Sequence, residues 1–562
     1  MADTLVFDMS SMAEGTPAVF VRKDWLSILD NQNKNYQGNQ SVIDTSQLAN
    51  SNKYMNYREA YLTIPLLLTL TGTNDFSAAA TSGDWAVGMK NWYGSVIHSF
   101  TLDYNGTTII QQTPYCGMWN TFKLMTSLSY QDVISQGSQI GFAPDTATSF
   151  GVSATQGIVN NDITGGFTSV STNNVGTPFN EGLLKRMSWT NFNDSAIPMS
   201  TTGTAVAGNP AGTQAYSALQ TTAQMDQLWN SRIITATAGG VFQVGILAVV
   251  YLKHIHSFFE RVPLLKGVFM KMTINLNQPS VGFTIAAGPV ITLTAGTAVN
   301  PLGGVCPLMI TNQASRLTAG NYVASLSVGQ SCNGSNASVA GVVNSTIGAG
   351  SILLNVPAYT FNPVFEASYL SSPIKKIVYE DIYQYQVRGV SSTFNNLITN
   401  GIANIKSVLV LPFFPASSAT APVLGSQVCP IAFQSPFDPA GCGPTSPMVQ
   451  FTNFNIQVSG QNAIYNSERY SYEQFMNQLY GQNAVNGGMT DGLTSSLVGY
   501  KDFLSEYCYY YVNVGRMLPV EEAVPKSVNV LGTCQFQTPV DLYVFISYGV
   551  EVSVDILTGA RV

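Results

Sequence analysis

Two short stretches decide the fold: LDYNGTTII, residues 102–110, and IQVSGQNAI, residues 456–464. Each places a polar residue and a glycine between segments that alternate apolar and polar side chains. Asn105-Gly106 is the strongest short hairpin signal, because both central positions of a type I′ turn take φ > 0. Ser459-Gly460 is a weaker form of it. The two glycines lie 354 positions apart (460 − 106), and the match extends without a gap. Phe100 aligns with Phe454, Leu102 with Ile456 and Ile110 with Ile464. Thr113 aligns with Ser467, both readable as helix caps, and Pro114 suits a first helical position. Met118, Phe122 and Met125 then align with Tyr472, Met476 and Leu479 as one apolar stripe. A hairpin followed by a capped amphipathic helix is written twice.

Upstream, LTIPLLL (62–68) resembles LVLPFF (409–414), with Pro65 opposite Pro412 at an offset of 347 (412 − 65), so the second copy has the longer loop. Proline inside such a run implies a strand edge or a bulge. Period-2 alternation marks further strands. In SYGVEVSVDI, Tyr548, Val550, Val552, Val554 and Ile556 share one face; in MKMTINLN, Met270, Met272, Ile274 and Leu276 do. Half-buried alternation belongs to antiparallel sheets. Helices are few: Asp84 is a candidate cap for a segment in which Trp85, Met89, Trp92 and Val96 keep helical spacing. The expectation is an all-β chain of two jelly-roll domains, each two sheets packed in Greek-key order.

Composition narrows the function. The 562 residues exceed one ordinary core. Charged residues make up 10% of the chain, against about 25% in average globular proteins. Hydrophobicity is ordinary at 45%, so the chain should fold rather than stay disordered. A net charge of −7 opposes a nucleic-acid binder, which would show a basic face. MADTLVFDMSSMAEG lacks the charged and apolar regions of an export signal. The longest apolar candidate, VFQVGILAVVYL, stops at Lys253, so no membrane span is expected. Seven scattered cysteines without a C-x-x-C pair fit buried thiols in a reducing compartment; the closest pair, Cys429 and Cys442, is a weaker candidate for a bridge. From Met272 to Phe365 the only charge is Arg316. That stretch reads either as β-structure facing other protein or as glycine-rich surface loops.

The chain carries no P-loop, G-x-G-x-x-G or H-E-x-x-H motif. His254 and His256 stand two apart, so in a strand they would share a face, with Glu260 the nearest carboxylate; zinc needs a third ligand, and a packed or hydrogen-bonded pair is the stronger reading. Asn105, Asn333, Asn336 and Asn344 stand in glycosylation sequons and are expected to be unmodified. No catalytic, cofactor-binding or metal-binding residue is assigned, and no enzyme activity is expected. Paired carboxylates for glycoside cleavage are not excluded by spacing.

Three passages resemble the major capsid proteins of polinton-like viruses and virophages: VRKDWLSILDNQNKNYQGNQSVIDTSQL (21–48), IHSFFERVPLLKGVFMKMTINLNQ (255–278) and LLNVPAYTFNPVFEASYLSSPIKKIVYEDIYQYQV (353–387). With the repeat, the resemblance covers most of the chain and is weakest over two bland regions, about Gln131 to Gln224, rich in Gly, Ser, Thr, Ala and Asn, and Met272 to Phe365. It implies a double jelly-roll subunit, three copies of which form a capsomer of pseudo-hexagonal outline in an icosahedral shell around a DNA genome. Implied partners are the other copies of a homotrimer, neighbouring capsomers, a penton (minor capsid) protein and other minor capsid proteins, with the virion as location, assembly inside the host cell and no direct sequence-specific nucleic-acid binding. The implied division is an N-terminal segment at 1–29, a first jelly roll at 30–365 with insertions at about 131–224 and 280–350, and a second jelly roll at 366–562, charge returning with Glu366, Lys375 and Lys376. The rival reading is a secreted β-sandwich glycan-binding protein or glycosidase.

Overall fold

The fold is that of a computed structural model. It describes residues 18–72, 87–89, 92–111, 113–144, 240–285, 320–330, 350–413, 451–464, 470–484, 496–500, 509–514, 523–534 and 539–556, with short pieces at 152–153, 157–158, 186, 233–235, 291–293, 307–310, 503 and 560–561. Sixteen strands carry the architecture. The first eight are β1 (Phe20–Leu29), β2 (Gln40–Asp44), β3 (Tyr61–Gly72), β4 (Ile97–Tyr104), β5 (Thr107–Ile110), β6 (Val241–Tyr251), β7 (Met270–Leu276) and β8 (Leu353–Phe361). The second eight are β9 (Ile374–Val390), β10 (Thr393–Ile402), β11 (Ile405–Phe413), β12 (Phe451–Val458), β13 (Gln461–Asn462), β14 (Tyr510–Asn513), β15 (Lys526–Cys534) and β16 (Val540–Asp555).

In the first set, β1-β8-β3-β6 make one antiparallel sheet and β2-β7-β4-β5 the other. In the second set the sheets run β9-β16-β11-β14 and β10-β15-β12-β13. Adding eight to each number of the first pair of sheets gives the second pair. Two facing four-stranded sheets in this order are a jelly roll, and the chain contains two. The repeated hairpins occupy the same place in each, β4–β5 and β12–β13. Their tips have matching backbones: φ is 45° and 80° at Asn105 and Gly106, and 51° and 79° at Ser459 and Gly460. An L side chain is strained there, which is why a glycine stands second in both turns.

Alternation in sequence becomes burial. Met270, Met272, Ile274 and Leu276 of β7 have no exposed surface, and Val552, Val554 and Ile556 are equally enclosed. Pro65 is not at an edge. It stands inside β3, where the partner on one side changes from β8 (paired with 61–63) to the strand Gly320–Val328 (paired with 66–72). Its carbonyl accepts from Gly329 N–H at that junction, and in a strand the N and O of one residue point the same way. The missing N–H therefore falls in the gap between two partners.

Other expectations change. Residues 20–29, assigned above to an N-terminal segment, form β1, paired along its length with β8. The helix expected after Asp84 is instead a short strand, Val87–Met89, and a 3₁₀ turn, Tyr93–Val96, filling the core with Trp92, Tyr93 and Val96; Asp84 itself lies outside the described residues. Of the insertion at 131–224, the described part is mostly helix, closed at its start by a capping box between Ser129 and Asp132. Of the insertion at 280–350, Ser280–Ile285, Ile291–Leu293 and Gly320–Val328 are strands that extend the first sheet. Cys116 and Cys534 are free and buried, while Cys306, Cys332, Cys429, Cys442 and Cys508 fall outside the described residues.

The helices used below are α1 (Cys116–Ser127), α2 (Tyr130–Ile140), α3 (Leu252–Ile255), α4 (Phe258–Arg261), α5 (Pro363–Leu370) and α6 (Tyr472–Ala484). The expected division at 365/366 falls inside α5, which Asn362 caps by accepting from Val364 N–H, with Pro363 at the first position.

Candidate functional site

A set of long-range polar contacts joins one jelly roll to the other. It is built on β9, the edge strand of the third sheet. An edge strand leaves every second N–H and C=O unpaired. At Glu380 and Ile382 these outward groups are met by the first jelly roll and by β9 itself. Ser257 Oγ donates to the Glu380 carbonyl at 2.5 Å and accepts from Glu380 N–H at 3.0 Å. Thr113 Oγ1 donates to the Ile382 carbonyl at 3.0 Å, and Ile382 N–H donates to Asp381 Oδ1 at 2.8 Å. Tyr379 Oη reaches the Ile109 carbonyl at 2.5 Å. Burial lifts the Tyr379 hydroxyl well above its ordinary pKa, so it stays a donor.

Thr113 is therefore not a helix cap. The residue before α1 is Tyr115, in the left-handed region, and the Thr113 hydroxyl is committed across the seam. Its proposed counterpart Ser467 lies outside the described residues.

At the centre, His256 Nε2 stands 3.2 Å from Asp381 Oδ1, with the two side chains 7% and 3% exposed. His256 Nδ1 accepts from Phe258 N–H at 3.2 Å, which puts the ring proton on Nε2, facing Asp381. Tyr548 Oη donates to Asp381 Oδ2 at 3.1 Å. Burial, followed by the Asp381 charge, raises the Tyr548 pKa and keeps that proton in place. One carboxylate thus accepts from an imidazole of the first jelly roll and from two donors of the second. Neighbouring Glu380 accepts from Ser547 at 2.6 Å.

Beside this polar line lies an apolar one. Helix α1 presses on the outer face of the β9-β16-β11-β14 sheet. Tyr115 meets Tyr543 at 5.0 Å between ring centroids, Trp119 meets Phe545 at 6.4 Å, and Phe122 meets Tyr509 at 5.1 Å and Tyr511 at 5.2 Å. Edge-on and tilted aromatic pairs of this kind add about 0.5–1.5 kcal/mol each beyond their buried area. A cleft of about 630 Å³ opens along the seam. Charges of both signs line it, including Lys123, Glu260, Arg261, Lys406 and Glu551. Lys123 pairs with Glu260 at 2.6 Å.

The histidines do not come together. Residues 252–255 are a turn of helix rather than a strand, so His254 and His256 point apart. His254 packs edge-on against Trp92 and Tyr251 and its pKa is lowered to about 3, first by burial and then by Lys253 and Lys123. Glu260 is engaged by Lys123. Among the described residues no cluster of three metal-ligating side chains forms. Asp381 and Ser257 were not singled out from the sequence; the acidic pair Glu380-Asp381 among the aromatic and apolar residues of IVYEDIY marks the first, and nothing local marks Ser257.

No family model and no curated protein matches the chain. Solved structures similar to it include that of the Sputnik virophage (11% identity, 98% of this chain and 89% of that chain, TM-score 0.49). Others are the Faustovirus major capsid protein (9%, 96% and 91%, TM-score 0.41) and the mavirus major capsid protein (9%, 98% and 91%, TM-score 0.41). The assignment of two jelly rolls rests on the strand orders given above.

Proposed function

We propose that the chain is the major capsid protein of a virus, a structural rather than catalytic component of the virion. Three copies form a capsomer of pseudo-hexagonal outline, and capsomers tile an icosahedral shell around a DNA genome, meeting neighbouring capsomers, a penton protein and other minor capsid proteins. The observation that carries this reading is the pair of strand orders: two jelly rolls of one topology in a single chain, locked side by side. Such a chain presents two similar bodies per copy, so a threefold assembly offers six similar contacts to its neighbours. The sequence resemblance described above supports the same reading. We place the division between the two bodies in the α5 connection, near residue 365.

The test is the mass of the purified protein by light scattering, followed by electron microscopy. Three times the 60.3 kDa chain, in particles of hexagonal outline, is the expected result. A monomer that binds glycans on an array and never forms such particles would overturn the proposal in favour of the secreted β-sandwich reading.

A further inference from the structure

The first two strands of each jelly roll are sheet edges, and they are closed unequally. An edge leaves every second N–H and C=O unpaired and is a template for a further strand, so natural edges are short, charged, bulged or covered. Strand β1 carries Arg22, Lys23 and Asp24 in succession. Strand β2 is short and ends on Asp44, and its Val42 carbonyl accepts from Asn31 N–H at 2.9 Å. Strand β9 is met by Ser257 and Thr113 of the first jelly roll. The first half of β10 has none of these closures.

Strand β10 is the edge of the β10-β15-β12-β13 sheet. No residue from Gly389 to Ile405 is charged. Cys534 N–H donates to the Ser392 carbonyl at 3.0 Å, which fixes the alternation along the strand. The backbone groups of Phe394 and Asn396 therefore point at β15, and those of Thr393, Asn395 and Leu397 point away from it. Among the described residues no hydrogen-bond partner meets these outward backbone groups. The side chains of the same three residues are exposed, Leu397 at 55%, while Phe394 and Ile398 turn into the core. The free stretch has defined ends. The backbone turns at Ser392, with φ of 80°, and the register with β15 shifts after Leu397. That irregularity twists the edge away beyond Leu397 and leaves Thr393–Leu397 regular.

We propose that Thr393–Leu397 of β10 pairs antiparallel with the same stretch of a second copy of this chain, with Asn395 opposite Asn395. The outward residues are spaced symmetrically about Asn395. In this register Thr393 faces Leu397 in both directions, and each outward pair exchanges two hydrogen bonds. The stretch carries no charge, so two copies meet without the repulsion that like charges directly opposite would bring. The turn at one end and the irregularity at the other disfavour any slipped register of equal length. Such a contact is isologous, and a threefold ring contains no twofold axis. It therefore joins a chain of one capsomer to a chain of the next and leaves the contacts within a trimer alone. In naming the bodies joined, the inference rests on the capsomer proposed above; the pairing itself is a property of the single chain.

The test introduces cysteines into the full-length protein. Cα atoms of a hydrogen-bonded antiparallel pair lie about 5.5 Å apart, within disulfide reach. Under mild oxidation Asn395→Cys is expected to give disulfide-linked pairs of chains, and Thr393→Cys mixed with Leu397→Cys is expected to link far more than either alone. Asn400→Cys, exposed on the same strand beyond the irregularity, is the control and should stay unlinked, as should the parent. Asn395→Lys puts two like charges face to face. It should weaken association between particles at least about tenfold in sedimentation velocity, with circular dichroism and the mass of the single particle unchanged. Equal linking at positions 395 and 400, or none at 395, would overturn the inference. So would a mixture that links no better than its components, or Asn395→Lys particles that associate as the parent does. A parent that is not a trimer but links chain to chain at position 395 would sink the proposed function and leave this pairing standing.

Discussion

Asp381 is the residue on which the seam most depends, and its removal has a calculable cost. Asp381→Ala takes away the acceptor of three donors: His256 Nε2–H, Tyr548 Oη–H and Ile382 N–H. The Tyr548 hydroxyl is only partly buried and can turn towards water, so it contributes little. The other two donors are enclosed, and each orphaned buried donor costs about 1–3 kcal/mol. With two enclosed donors orphaned, the expected destabilisation is about 2–6 kcal/mol. Asp381→Asn keeps an acceptor for His256 and Ile382 and can itself donate to Tyr548, so its cost should be about 1 kcal/mol. The assay is urea unfolding at one fixed protein concentration, because assembly would otherwise shift the midpoint. His256→Ala and the double variant complete a cycle whose coupling should be 1 kcal/mol or more, since the two groups share one interaction. An Asp381→Ala variant within about 0.5 kcal/mol of the parent would show that the carboxylate is not what satisfies these donors, and the account of the seam would fall with it.

Acid stability should depend on His254. Its pKa is near 3 in the fold against 6.5 unfolded, so below pH 6.5 the unfolded chain takes up a proton that the folded chain refuses. Stability is intact above about pH 6.5 and falls towards pH 3, by up to roughly 4–5 kcal/mol. His254→Leu should make the acid limb of a stability–pH curve measurably shallower, and an unchanged slope would contradict the assigned burial. At the hairpin tips, Gly106→Ala and Gly460→Ala should each cost about 1 kcal/mol, because the backbone strain is the same at φ of 80° and 79° and no neighbour touches either position; thermal melts in which only one of the pair is destabilised would break the equivalence of the hairpins. Filter binding of the purified protein to duplex DNA at physiological salt should be weaker than about 10⁻⁶ M, since 24 Lys and Arg face 31 acids in this sequence. Tighter binding would overturn the reading that this chain does not itself neutralise nucleic acid.

How much was legible depended on whether a segment's partner was local. The strand β7 was readable because its environment is regular: one face meets the core at every second residue, and Met270, Met272, Ile274 and Leu276 record it. The hairpins were readable because a φ > 0 turn restricts residue choice whatever surrounds it. Strand β1 was hidden because an edge strand carries charges that break the alternation. Arg22, Lys23 and Asp24 stand in succession, and they are engaged locally, Lys23 with Glu59 at 2.6 Å and Asp24 with Lys53 at 2.5 Å. Thr113 was misread because a Thr before a Pro is a good local cap, yet its hydroxyl has a partner 269 residues away. His254 and His256 are packed and hydrogen-bonded respectively, as the stronger sequence reading had it, but the strand in which they would share a face is a single helical turn, a difference that depends on packing rather than on local sequence.

The same contrast explains how the two jelly rolls stay in one arrangement. Apolar packing alone, such as α1 on Tyr543, Phe545 and Tyr511, is non-directional and would tolerate sliding along the sheet. The polar contacts on β9 would not. Ser257 and Thr113 meet the outward backbone groups of residues two apart, and a one-residue slip of β9 would turn those groups away and present the inward-facing set instead. His256 and Asp381 add a pair whose separation would be expensive in either partner. The seam thus draws its affinity from α1 and its register from β9.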